Sequence, residues 1–199
     1  MLELQKPPHH IEFLDAEHID SYAGHLARLE PGALALRFFG RPVHRLTDAY
    51  IADYAAAAFD DDRVIVGYFD GMVLRGVGEM RLHCPDGKNM DGKNRDGMNR
   101  DGKNRDGMNR DGMSGARPHT ADVSLSVERA WRGRKIGEEL MGALILEARH
   151  LGIKRIAVAC LRDNLPMQRI VTRFAGDLRR ENGTVLGIIE RHKDLLDAA

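Results

Sequence analysis

The hexapeptide Arg132-Gly133-Arg134-Lys135-Ile136-Gly137 gathers three cations and two glycines at the entry to a helical pattern. The first N–H groups of a helix have no intrahelical partners, and the helix dipole places positive potential there. Glycine lets backbone approach a ligand closely. Such a bend offers anion binding, with a diphosphate as its natural occupant. The plain alternative is a positively charged turn that caps a core helix. Two familiar phosphate loops are excluded. The P-loop needs Gly-Lys followed by Ser or Thr, whereas Lys135 precedes Ile136. The dinucleotide fingerprint needs three glycines in G-x-G-x-x-G order, which Gly133 and Gly137 do not supply.

The elements on either side position this bend. Val123, Leu125 and Val127 alternate with Asp122, Ser124 and Ser126, the period of a strand. After the bend, Ile136, Leu140, Leu144 and Ala148 recur every fourth residue, with Met141 and Ile145 widening the apolar stripe of a helix that Gly152 ends. Upstream, Ile11–Leu14 reads as a short strand, and the spacing predicts helices over Glu17–Leu29 and Ala33–Phe39, separated by Pro31-Gly32. Thr47-Asp48 starts a third helix through Ala58. Val64–Phe69, Asp70-Gly71 and Met72–Leu82 form a hairpin, in which Gly76 and Gly78 imply a bend or close backbone approach. Downstream come a buried strand over Ile153–Leu161 and a helix that starts at Asp163–Gln168 with a cap residue and a first-turn proline. A hairpin of Leu178–Glu181 and Thr184–Glu190 turns at Asn182-Gly183. This is a mixed α/β order.

Asp86–Gly115 is a different material: six tandem pentads, DGKNM DGKNR DGMNR DGKNR DGMNR DGMSG. Apart from four methionines it contains nothing apolar, so it cannot offset the entropy of ordering and reads as a disordered insertion in a loop between two strands. A calcium loop fails on register: with Asp96-Gly97 at positions 5 and 6 and Asn94 at 3, Gly92 falls at 1. Nucleic-acid binding lacks aromatics for stacking, and aspartates interleave the bases. The rest of residues 1–199 suits a single domain.

Composition sets the outer bounds. Thirty basic and thirty acidic residues give zero formal charge, so no global field draws the chain to nucleic acid or an anionic membrane. Cys84 and Cys160 are too few for a disulfide framework and lack metal-ligand spacing, and the nine histidines show no paired metal spacing, so no metal is expected. No apolar run approaches the roughly 18 residues of a membrane span, and MLELQKPPHH is too polar for a secretory signal. A reduced, cytoplasmic protein is the expectation.

The strand, bend and helix together resemble the acetyl-CoA pyrophosphate loop of the GNAT N-acetyltransferases, whose pattern is Arg or Gln, two residues, Gly, one residue, then Gly or Ala. Arg132 and Gly137 occupy its ends, and Lys135 stands where the middle glycine is usual. Leu36-Arg37-Phe38-Phe39-Gly40 resembles a stretch in bacterial members that acetylate proteins. The resemblance implies a mostly antiparallel sheet flanked by helices and splayed between its fourth and fifth strands, here Ala121–Val127 and Ile153–Leu161, with acetyl-CoA in the opening. It implies that Arg132, Gly133, Arg134, Lys135, Ile136 and Gly137 hold the pyrophosphate. Leu125, Ser126 and Val127 would pair with the pantetheine arm and supply an N–H to the thioester oxygen. Asn164 matches the asparagine that starts the late helix and contacts cofactor; its ordinary role as a cap is compatible.

An attacking ammonium must first lose a proton, which calls for a carboxylate. Asp122 stands where protein-acetylating relatives carry Ala-Glu-Val and is the first candidate; Glu79 is the second. Val171 occupies the place of the tyrosine that protonates departing thiolate in many members, although relatives with Asn-x-Pro-Met helices also lack it. The implied reaction is direct acetyl transfer to an amine, either a protein lysine, a protein N-terminus or a small amine, by a monomer or homodimer. The alternative is a catalytically silent acyl-CoA-binding module.

Overall fold

The computed structural model describes residues 8–38, 47–83, 119–181 and 183–190. The pentad repeat, Cys84, Phe39-Gly40 and Asn182 lie outside the described residues. Seven strands form one sheet: β1 (His9–Leu14), β2 (Arg63–Asp70), β3 (Val73–His83), β4 (Thr120–Val127), β5 (Arg155–Leu161), β6 (Asp177–Glu181) and β7 (Thr184–Glu190), in the order β1-β2-β3-β4-β5-β7-β6. Among the described residues five α-helices cover it: α1 (Ile19–Ala27), α2 (Pro31–Arg37), α3 (Asp48–Ala57), α4 (Ile136–His150) and α5 (Leu165–Arg173).

Every pairing is antiparallel except β4 with β5. That parallel contact lasts three residue pairs, Thr120 with Arg155, Ala121 with Ile156 and Asp122 with Ala157. From Val123 onward β4 pairs with β3 alone, so its other edge carries peptide donors and acceptors with no strand partner. The sheet is forked there, as the resemblance implied.

The two faces of the sheet carry separate cores. On one face Met80, Leu82, Ala121 and Val123 pack with Ile136, Leu140 and Leu144 of α4 and with Met167 and Val171 of α5. On the other, Ile65, Leu74 and Val77 pack with Tyr22 and Leu26 of α1 and Ile51 and Ala55 of α3. Gly76 and Gly78 let α4 lie close on β3. A Cβ on Gly76 would sit 3.0 Å from Ile136 Cγ2, and one on Gly78 would sit 3.0 Å from Leu144 Cδ1.

The hairpin forms where Asp-Gly marked it: β2 and β3 are joined by Gly71-Met72, and only Gly71 has positive φ (59°), the pattern of a type II′ turn. Thr47 caps α3 by accepting from Tyr50 N–H at 3.2 Å.

Three of the boundaries that differ from expectation have a local cause. The first helical stretch starts as a 3-10 turn, Ala16–His18, because Asp15 closes a capping box with His18 before α1 begins. Pro31 opens α2 instead of breaking the chain, since its fixed φ suits the first helical turn. β5 begins two residues late because Lys154 and Arg155 N–H groups both bond to His119 O.

Candidate active site

A cavity of about 480 Å³ occupies the fork. Its walls come from β4 (Ser124–Val127), the bend before α4, the end of β5 with the first turn of α5, and α2 through Ala33, Leu36 and Arg37. Of the ten residues implicated in cofactor binding, nine line it: Leu125, Ser126, Val127, Arg132, Gly133, Lys135, Ile136, Gly137 and Asn164. The tenth, Arg134, instead lays its guanidinium 4.4 Å from the centroid of the Trp131 ring.

The bend has the backbone that the glycine pattern demands, with a lysine in it. Lys135 precedes α4 at φ 65°, ψ 7°, and Gly133 has φ 77°. A side chain in this left-handed region costs about 1–2 kcal/mol. Among the described residues, no backbone acceptor takes the N–H groups of Gly133 through Gly137. These successive donors, beside the dipole of a 15-residue helix, are what an anion requires. Gly137 has a packing reason too: a Cβ there would lie 2.9 Å from Ile170 Cδ1 of α5. Arg132 also braces the bend, donating to Val127 O at 3.1 Å and to Glu30 Oε1 at 2.6 Å.

On the far wall, Asn164 Oδ1 accepts from Met167 N–H at 3.3 Å and so caps α5 while lining the cavity. Cys160 also lines it; burial, with the Asp163 charge beside it, pushes its thiol up. Val171 turns away from the cavity into the core, where a Cβ on Gly187 would meet it at 2.7 Å.

The two candidate carboxylates lie in contrasting places, and neither lines the cavity. Asp122 sits at the last β4–β5 pair, where the fork opens, on the sheet face of Ser124 and Ser126. Its side chain is 55% exposed, and Oδ2 lies 2.7 Å from His83 Nε2. Glu79 is buried, contrary to the usual expectation for a charge in a strand. It accepts from Tyr22 (2.8 Å), Tyr54 (3.0 Å), Arg63 (3.1 Å) and Arg37. Burial opposes ionisation, but Arg37, Arg63 and the two phenols outweigh it and hold the carboxyl below its ordinary range.

A second polar cluster backs β4. His25 is fully buried, its Nε2 lies 2.9 Å from Ser126 Oγ, and its Nδ1 lies 3.7 Å from Glu128 Oε1 without a hydrogen-bond partner. Arg28 and Arg75 donate to Glu128 at 2.8 and 3.0 Å. Burial works against the Glu128 charge, yet the nearby His25 and the bonds from Arg28 and Arg75 prevail and hold its carboxyl at about 2. Neither cluster had a signal in the sequence, because their hydrogen-bonded partners stand 16 to 101 residues apart. Among the described residues no group of three or more His, Cys, Asp or Glu side chains could hold a metal ion, and no helix is long and apolar enough to cross a membrane.

Comparison with known proteins places this architecture. Residues 33–176 match the acetyltransferase (GNAT) family, a stretch that spans the pentad repeat. The chain belongs to that family. The acetyltransferase Pat of Mycolicibacterium smegmatis is 36% identical to it over 75 residues, which is 38% of this chain and 22% of that longer protein. Among solved structures, the GNAT domain of S. lividans PAT superposes with a TM-score of 0.67 at 18% identity, covering 91% of this chain and 89% of that one. YncA of Salmonella typhimurium, a putative acetyltransferase solved with acetyl-CoA, gives 0.56 at 15% identity, covering 96% and 98%.

Proposed function

We propose that the chain transfers an acetyl group from acetyl-CoA, bound in the fork, to an amine on a protein (a lysine or the N-terminus) or on a small molecule. The observation that carries this reading is the row of N–H groups from Gly133 to Gly137, which no backbone acceptor among the described residues takes, opening onto a cavity at the edge of β4 that has no strand partner there. The pyrophosphate lies on those donors, the pantetheine arm pairs with Leu125–Val127, and a β4 N–H on the free edge meets the thioester oxygen as it gains charge. Arg132 and Lys135 add cations on the cavity wall, and Arg134 adds one beside Trp131.

Asp122 serves as the base, directly or through a water, because it stands where the fork opens and reaches solvent. Glu79 is the less suited of the two: a carboxylate already accepting from four side chains holds a proton poorly. The absence of both carboxylates from the cavity wall favours a second reading, an acyl-CoA-binding module without turnover. Thiol release from acetyl-CoA across a panel of amines and proteins decides between them. Amine-dependent release, lowered in Asp122→Asn, supports transfer; CoA binding with no release supports the binding module.

A further inference from the structure

Ser126, His25 and Glu128 lie in the order and register of a nucleophile, its base and the acid that orients the base. Ser126 lines the cavity, its hydroxyl lies 2.9 Å from His25 Nε2, and the opposite ring nitrogen faces Glu128 at 3.7 Å. Glu128 is kept ionised by two arginines, and its charge 3.7 Å from Nδ1 favours the neutral tautomer with the proton on Nδ1, in which Nε2 accepts from the Ser126 hydroxyl. Burial pushes His25 below its ordinary value, the neutral state that a base must start from. Its Nδ1 has no hydrogen-bond partner among the described residues, so the side chain is not fully accounted for by structural bonding.

We propose that Ser126 is an acylatable serine, giving the chain a thioester-cleaving route that needs no amine. The proposal rests on the reading that acetyl-CoA occupies the fork. Ser126 Oγ attacks the thioester carbon, and its proton passes to His25 Nε2. The carbon–sulfur bond breaks, and the thiolate takes that proton to leave as CoA thiol. The acetyl group remains as an ester on Ser126. Water then attacks the ester carbon, giving one proton to His25 that passes to the departing serine oxygen, and acetic acid leaves, losing its remaining acidic proton to solvent as acetate. Glu128 faces the imidazolium formed in both halves, and the free-edge N–H groups of β4 meet both oxyanions.

The test is thiol release by the full chain with acetyl-CoA and no amine, with acid-quenched samples digested to follow the peptide bearing Ser126. The expected result is steady thiol and acetate release by wild type, with an acetyl group on that peptide. Release falls at least about tenfold in Ser126→Ala and in His25→Gln. Equal release by wild type and Ser126→Ala, or none by either, overturns the proposal. Calorimetric CoA uptake by the same wild-type sample separates two failures. Uptake without serine-dependent release removes this route alone, whereas no uptake removes the acetyl-CoA reading as well.

Discussion

The two faces of the forked sheet are built on opposite plans. On the face under α4 and α5, most of the cavity wall comes from one stretch of chain: β4, the bend, α4, β5 and the cap of α5 follow one another between Thr120 and Arg173. The face under α1 and α3 joins distant residues, with Tyr22 reaching Glu79 and His25 reaching Ser126. The first face holds backbone donors and the cavity; the second holds two buried networks of acids and arginines. The difference teaches where specificity of chemistry resides. The groups proposed to hold the cofactor are local peptide groups, while the buried carboxylates Glu79 and Glu128 are set by tertiary packing.

The comparison breaks most visibly at Glu79. Glu79→Ala leaves Arg37, Tyr22 and Tyr54 without their common acceptor, and about 3–5 kcal/mol of stability is expected to be lost in urea unfolding. Asp122→Asn should leave stability nearly unchanged, since the side chain is largely exposed, while kcat for amine acetylation falls about a hundredfold. A large loss of kcat in Glu79→Gln with Asp122→Asn unaffected would reverse their roles. Gly137→Val drives a side chain into Ile170, and about 1–3 kcal/mol of stability should go together with weaker CoA binding.

The polar face also answers to acid. Glu128 is ionised down to about 2 in the folded chain and protonates near 4.3 when unfolded, so the unfolded state binds the proton first. Its stabilisation is complete above about pH 5 and is lost as pH falls toward 2. Glu128→Gln should flatten that part of an acid-unfolding curve. The smallest expected effect is Lys135→Gly, which relieves left-handed strain by about 1 kcal/mol and weakens CoA binding slightly through the lost cation.

Legibility in the sequence followed the same division. The alternation of β4, the four-residue stripe of α4 and the glycines of the bend are signals within one window, so the strand, the bend and its donors could be anticipated, whereas the fork came from the family resemblance. Lys135 departs from the family's glycine pattern yet adopts the left-handed backbone that glycine would favour, because the turn into α4 dictates it. The α2 wall was invisible, since nothing near Ala33, Leu36 and Arg37 says what they will face. The burial of Glu79 was invisible for the same reason: its four donors converge from α1, α2, α3 and β2 only in the folded chain. Val171 read as a missing acid, whereas its side chain faces the core against Gly176 and Gly187, so a tyrosine there would not reach the cavity without repacking.

The central claim is that the peptide hydrogens of the bend hold the phosphates of coenzyme A. Calorimetric titration of acetyl-CoA into wild type and into a folded Arg132→Glu, Lys135→Asp double variant tests it most directly. One equivalent bound by wild type, with affinity at least about tenfold lower in the variant, is the expected result. Absent uptake by folded wild type, or equal affinity in the two, would contradict it.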